Sequence, residues 1–223
     1  MLKSIILKEW LKTRWYLIFA AIATIAFSAF LMLRMHRAID LKGAAHIWEV
    51  MLLRDTIFIN SLSVLPLLVG LVLALMQFYP EMQRKCLKLT LHLPCSRMQT
   101  TLAMLLYGLL ALVLCFAMSF ILMCLSMQTI LPPELINHVL LSSLPWFTAG
   151  VAAYLLGAWV ILEPTWKRRI AYILLSALLL RVFFVSDTPE AYNQFMPWLA
   201  LLTLLCASLS WLSVHRFIDG QQD

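Results

Sequence analysis

The chain has 223 residues, of which 63% are hydrophobic and 13% charged, and its net charge is +6. A water-soluble domain has roughly half apolar and about a quarter charged residues, so an ordinary soluble fold is excluded. The cations stand in short tracts between apolar runs, which is the pattern of membrane topology signals and headgroup contacts and not of a nucleic-acid face.

The basic leader Met1–Arg14 precedes a first apolar run at about Trp15–Leu33. That run is longer than the roughly 7–15 residues of a signal peptide, so it reads as an uncleaved span. Within the leader, Leu2, Ile5, Ile6 and Trp10 fall on one helical arc that also carries Glu9 and Thr13. The segment is either an interface helix along the inner membrane surface or a polar lead-in to the span. Further spans are expected at about Ile57–Phe78, Thr101–Leu125, Val139–Leu162, Ile170–Ser186 and Met196–Val214. Each is apolar nearly all round and none alternates, so the spans are helices and not barrel strands. The expected class is an all-α polytopic membrane protein with six transmembrane helices in a single domain covering residues 1–223.

Orientation follows from Lys and Arg. Lys3, Lys8, Lys12, Arg14, Arg84, Lys85, Lys88, Arg97, Lys167, Arg168, Arg169 and Arg216 fall on one side of a six-span layout, against Arg34, Arg37, Lys42 and Arg54 on the other. The richer side is cytoplasmic, with both termini inside. The remaining cation, Arg181, lies late in the fifth span, where it can snorkel to the outer face. In the long first outer connection, Met35–Thr56, the residues Ile47, Trp48, Met51 and Leu52 share one side of a short interfacial helix.

The loop after the second span reads Tyr79-Pro80-Glu81-Met82-Gln83-Arg84-Lys85-Cys86-Leu87-Lys88-Leu89-Thr90-Leu91-His92-Leu93-Pro94-Cys95-Ser96-Arg97. Pro80 is a tolerated first-turn residue, Glu81 follows where a helix N-terminus favours an anion, and Pro94 marks a stop. This predicts a short basic, partly apolar helix on the cytoplasmic face. It either docks into a groove on a partner or is a charged topology loop.

With the leader Lys8-Glu9-Trp10-Leu11-Lys12-Thr13-Arg14, the six-span layout and the Leu-Pro-x-Ser-Arg ending, the chain resembles the type-2 permease family of ATP-binding-cassette transporters. The resemblance implies that 80–97 is a coupling loop and that Glu81, Arg84, Lys85, Leu87, Lys88, Leu91, His92, Leu93 and Pro94 form an ATPase-coupling surface. It implies that the leader is a cytoplasmic interface helix, with Leu2, Ile5, Ile6 and Trp10 on its apolar face. The implied partners are two ATPase subunits, a second permease subunit (identical or related) and lipid, in a bacterial inner membrane, with export as the direction. Many family members have a glycine near the basic pair, where this chain has Arg84-Lys85-Cys86. Asp187–Phe195 is too short for the re-entrant helical pair seen in many members.

The chain contains no G-x-x-x-x-G-K-[ST], so ATP and Mg are expected on partner chains, with no cofactor in this one. H-E-x-x-H and G-x-S-x-G are also missing, and His36, His46, His92, His138 and His215 are scattered. The five cysteines form no C-x-x-C and read as small buried hydrophobes, so neither a metal site nor a catalytic residue is expected. Glu163 and Arg181 read as interfacial residues at span ends. A non-transporting membrane scaffold or sensory subunit that recruits a cytoplasmic protein is the alternative from another class.

Overall fold

A computed structural model of the chain describes residues 2–43, 62–83, 97–128, 131–186, 188 and 190–218. Six long helices account for most of them: α1 (Leu2–Lys42), α2 (Val64–Gln83), α3 (Arg97–Met127), α4 (Pro133–Leu162), α5 (Trp166–Arg181) and α6 (Met196–Ile218). Short 3-10 turns, Val182–Phe184 and Asn193–Phe195, join α5 to α6. Among the described residues there is no strand. All of these helices except α5 are long and apolar enough to cross a membrane.

The burial pattern is that of a lipid-immersed bundle. On α1 the buried stripe is Ile5, Glu9, Thr13, Leu17, Ala20, Thr24 and Ser28, at helical spacing. Trp15 and Phe19, by contrast, are 72% and 70% exposed. In water this distribution would be inverted; in lipid, polar groups turn inward because only the protein offers them partners. The buried hydroxyls bond back to their own helix: Thr13 Oγ1 donates to Glu9 O at 2.8 Å and Ser28 Oγ to Thr24 O at 2.8 Å.

The leader expected as a helix of its own is instead the first turns of α1, which runs unbroken for 41 residues, or about 60 Å at 1.5 Å per residue. Nothing in Met1–Arg14 interrupts it, since the segment holds neither Pro nor Gly. Ile5 is buried, whereas Ile6 and Trp10 are half-exposed, so the expected apolar arc is split between the bundle and the outside. Residues 35–42, read as loop, are also helical.

The expectation that a new helix begins at Pro80 is likewise corrected. Tyr79, Pro80 and Glu81 belong to the last turn of α2. Proline there forfeits one hydrogen bond, to the Met76 carbonyl, at the helix end where the loss is small. The interfacial helix expected around Ile47–Leu52 and the start of the second span at 57–61 lie outside the described residues.

Helix α4 is the hub, packed on α2, α6, α5 and α3, while α1 lies chiefly on α3 and secondarily on α2. The α2–α4 crossing is a contact of backbones. A Cβ on Gly70 would sit 2.0 Å from Gly150 O, and one on Gly150 would sit 2.6 Å from Pro66 O. Only glycine admits this approach.

Cross-links fix which helix ends lie together. The start of α1 meets the end of α2 through Lys8, Lys12 and Glu81. The end of α2 meets the start of α3 through Gln77 and Met104 O. The ends of α4 and α6 meet through Glu163 and Ser213. At the opposite end, Glu190, which follows α5, contacts His138 in the second turn of α4 at 2.7 Å. Neighbours in sequence therefore run antiparallel, and the chain from Trp166 to Glu190 leads from the Glu163 end of α4 to its opposite end.

Candidate functional site

The end of the bundle that gathers the N-terminus of α1, the C-terminus of α2 and the N-terminus of α3 holds two buried carboxylates on adjacent helices. Glu9 is fully buried and Glu81 is 2% exposed. Each is met by lysine. The Lys12 ammonium lies 3.0 and 2.9 Å from the two Glu9 oxygens and 2.9 Å from Glu81 Oε1. The Lys8 ammonium also lies 2.9 Å from Glu81 Oε1. Two carboxylates and two ammoniums sum to zero, the condition for keeping charge inside a bundle. Helix periodicity places the three α1 members: positions 8, 9 and 12 fall on the face turned to α2, with Glu9 and Lys12 as an i, i+3 pair. Glu81 Oε2 is buried and has no hydrogen-bond partner.

A neutral polar layer lies one to two turns deeper. Thr13 Oγ1 and Tyr107 Oη are 2.8 Å apart, linking α1 to α3. Tyr16 Oη donates to Val69 O at 2.7 Å, linking α1 to α2. Gln77 Nε2 donates to Met104 O at 2.8 Å, while Gln77 Oε1 accepts from the fully buried Tyr154 hydroxyl at 2.8 Å. Tyr154 Oη also reaches Leu105 O at 3.3 Å. Gly108 keeps this layer open, because a Cβ there would lie 2.1 Å from Tyr154 Oη.

A third carboxylate closes the same end on the other side of α4. Glu163 is fully buried. It accepts from Ser213 at 2.7 Å and Thr165 at 3.0 Å, and Arg216 lies 3.8 Å away. Arg169 Nη2 donates to the Glu163 and Ile161 carbonyls at 2.7 and 3.3 Å, capping α4, whose last carbonyls have no partner within the helix. Tyr172 stacks on Trp159 and accepts from Arg216. Glu163, read as a residue of an interfacial turn, is thus the internal anchor of α6. Arg181 ends α5 with its side chain exposed.

Of the residues assigned to the coupling surface, only Glu81 lies among those described. Arg84, Lys85, Leu87, Lys88, Leu91, His92, Leu93 and Pro94 lie outside them. Glu81 is turned inward to Lys8 and Lys12 and is not on an exposed surface. Of the interface-helix residues, Ile5 faces the bundle and Ile6 and Trp10 face outward, while Leu2 is helical. Sequence reasoning missed Lys8, Glu9 and Lys12 as partners within the bundle, and it missed Gln77, Tyr107 and Tyr154 altogether. The one available signal was Glu9 and Thr13, spaced i, i+4 on an otherwise apolar arc.

No protein-family model, no curated protein and no solved structure matches the chain. The fold and the charge arrangement define the class: a multi-helix protein with long apolar helices of the kind that cross membranes and a polar end braced by a charge-neutral quartet.

Proposed function

We propose that the chain is the permease subunit of an ATP-binding-cassette transporter, an exporter of the bacterial inner membrane that works as a dimer driven by separate ATPase subunits. In this reading it crosses the membrane six times with both termini in the cytoplasm. The sixth crossing is α5 together with its 3-10 turn, whose basic start Lys167-Arg168-Arg169 lies at the same end as Lys8 and Lys12. At 16 residues α5 is about 24 Å long, somewhat short of a core of roughly 30 Å, and local thinning of the bilayer accommodates such a mismatch.

The observation that carries the reading is the bracing around residues 84–96. The helices on either side of this segment, α2 and α3, are tied together by Gln77, and α2 is tied to the start of α1 by the charge quartet. A basic segment held at both ends is suited to passing a push from a docked motor into three helices at once, whereas a loop serving topology alone needs no such bracing.

The test is Leu91→Asp with Leu93→Asp in the full chain. Membrane insertion should be retained and co-purification with a nucleotide-hydrolysing partner lost. If the partner stays bound to the double variant, or if the wild-type chain purifies with a cytoplasmic protein that hydrolyses no nucleotide, the scaffold alternative replaces the permease.

A further inference from the structure

Helix α1 packs closely on α3, and α4 packs closely on both α2 and α6, whereas α1 meets α2, and α3 meets α4, more sparsely. An apolar groove open to the outside of the bundle runs between α3 and α4, lined among others by Phe116, Phe120, Phe147 and Val151. Toward the charged end, the α1/α3 and α2/α4 pairs are joined by polar contacts: Lys8 and Lys12 to Glu81, Tyr16 to Val69 O, Gln77 to Met104 O, and Tyr154 to Leu105 O. Bonds of this kind are directional and exchangeable, unlike the glycine contact that fuses α2 to α4.

We propose that the bundle opens along the seam between the α1/α3 pair and the α2/α4 pair, and that Lys8, Glu9, Lys12 and Glu81 are the catch that holds the seam shut at the charged end. The arrangement of the four charges fits a catch better than a permanent rivet. Both lysines converge on the same Glu81 oxygen, while the other, Oε2, has no partner. That second oxygen offers either ammonium a new position as the helices shift. On opening, Lys12 keeps Glu9, because the two are on one helix. Lys8, which is already partly exposed, and Glu81 are parted and must each be hydrated at the charged end.

Glu81 on this view is a positioning residue that acts inside the chain. The purpose of the opening rests on the permease reading, whereas the seam itself stands on the packing and the cross-links.

The experiment uses a cysteine-free background carrying Met104→Cys, a buried position whose carbonyl accepts the seam bond from Gln77. Vesicles with the charged end outward are labelled with a membrane-impermeant maleimide. Glu81→Ala should raise the initial rate by about tenfold, and the charge swap Lys12→Glu with Glu81→Lys, which keeps the quartet neutral, should recover most of the protection. Glu81→Gln serves if the alanine variant fails to insert. An unchanged rate in the single variant, or a rate the swap leaves just as high, overturns the proposal.

In a complex with the ATPase, trapping the nucleotide-bound state should change the wild-type rate. No change, with the Leu91/Leu93 variant still showing that the loop binds the ATPase, sinks the seam and leaves the permease standing. If no ATPase is recovered, the permease reading falls, and the Glu81 variants alone decide the seam.

Discussion

Toward α4, helix α2 presents glycine; toward α1, it presents a carboxylate. The first face lets two backbones touch, Gly70 against Gly150, with no side chain between them. The second holds its neighbour through ions and hydroxyls, Glu81 to two lysines and the Val69 carbonyl to Tyr16. Backbone contact of the first kind depends on shape and is lost entirely when a single methyl group intrudes. Contact of the second kind is a set of separate bonds, each of which can be exchanged or removed with graded effect. One helix thus carries a fixed joint on one side and a releasable one on the other. A bundle that must move without falling apart needs both.

The largest expected effect tests the fixed joint. Gly150→Leu drives a side chain against Pro66 O and the Phe116 ring. Overpacking at such a site should lower stability by about 3 kcal/mol or prevent folding, read as thermal unfolding in detergent. A loss below about 1 kcal/mol would mean that α2 and α4 part as easily as the other pairs.

A smaller effect is expected one layer below the quartet. Gln77→Leu strips the Met104 carbonyl and the Tyr154 hydroxyl of a partner together, at a cost of about 2 kcal/mol. Adding Tyr154→Phe to Gln77→Leu should recover part of that loss, because a buried hydroxyl left with only its longer 3.3 Å bond to Leu105 O is then removed. Failure to recover any would show that Leu105 O alone satisfies the Tyr154 hydroxyl. The smallest effect should come from Tyr16→Phe, which removes only the hydroxyl that bonds to Val69 O, at about 1 kcal/mol. If the Tyr16 loss matched that at Gly150, the contrast between the two faces of α2 would disappear.

Much of the helical layout was legible in the residues themselves. The apolar runs at 101–125, 139–162 and 196–214 each lie within an observed helix, because about 20 apolar residues suffice to mark such a segment. The boundaries were less legible. At Pro80 a proline was read as a beginning although α2 continues through it, and at Arg14 a charge was read as a break although α1 does not stop there. In both cases helical hydrogen bonding tolerates a residue whose usual meaning is set by water.

The candidate site was the least readable part. Glu81 was assigned to a partner-facing surface and Glu163 to an interfacial turn, yet both are buried. A carboxylate next to cations in sequence says nothing about which cation it meets in space.

Composition and periodicity by themselves determined that the chain is helical and built for an apolar solvent, since those properties depend only on local residue content and hydrogen bonding within each helix. Which polar groups face one another was decided by tertiary structure alone. Lys8 and Lys12 lie about seventy positions from Glu81 along the chain, and only the antiparallel return of α2 past α1 brings them to 2.9 Å. A charge is stable inside the bundle only when a partner sits within reach, and that reach is a property of the assembled helices.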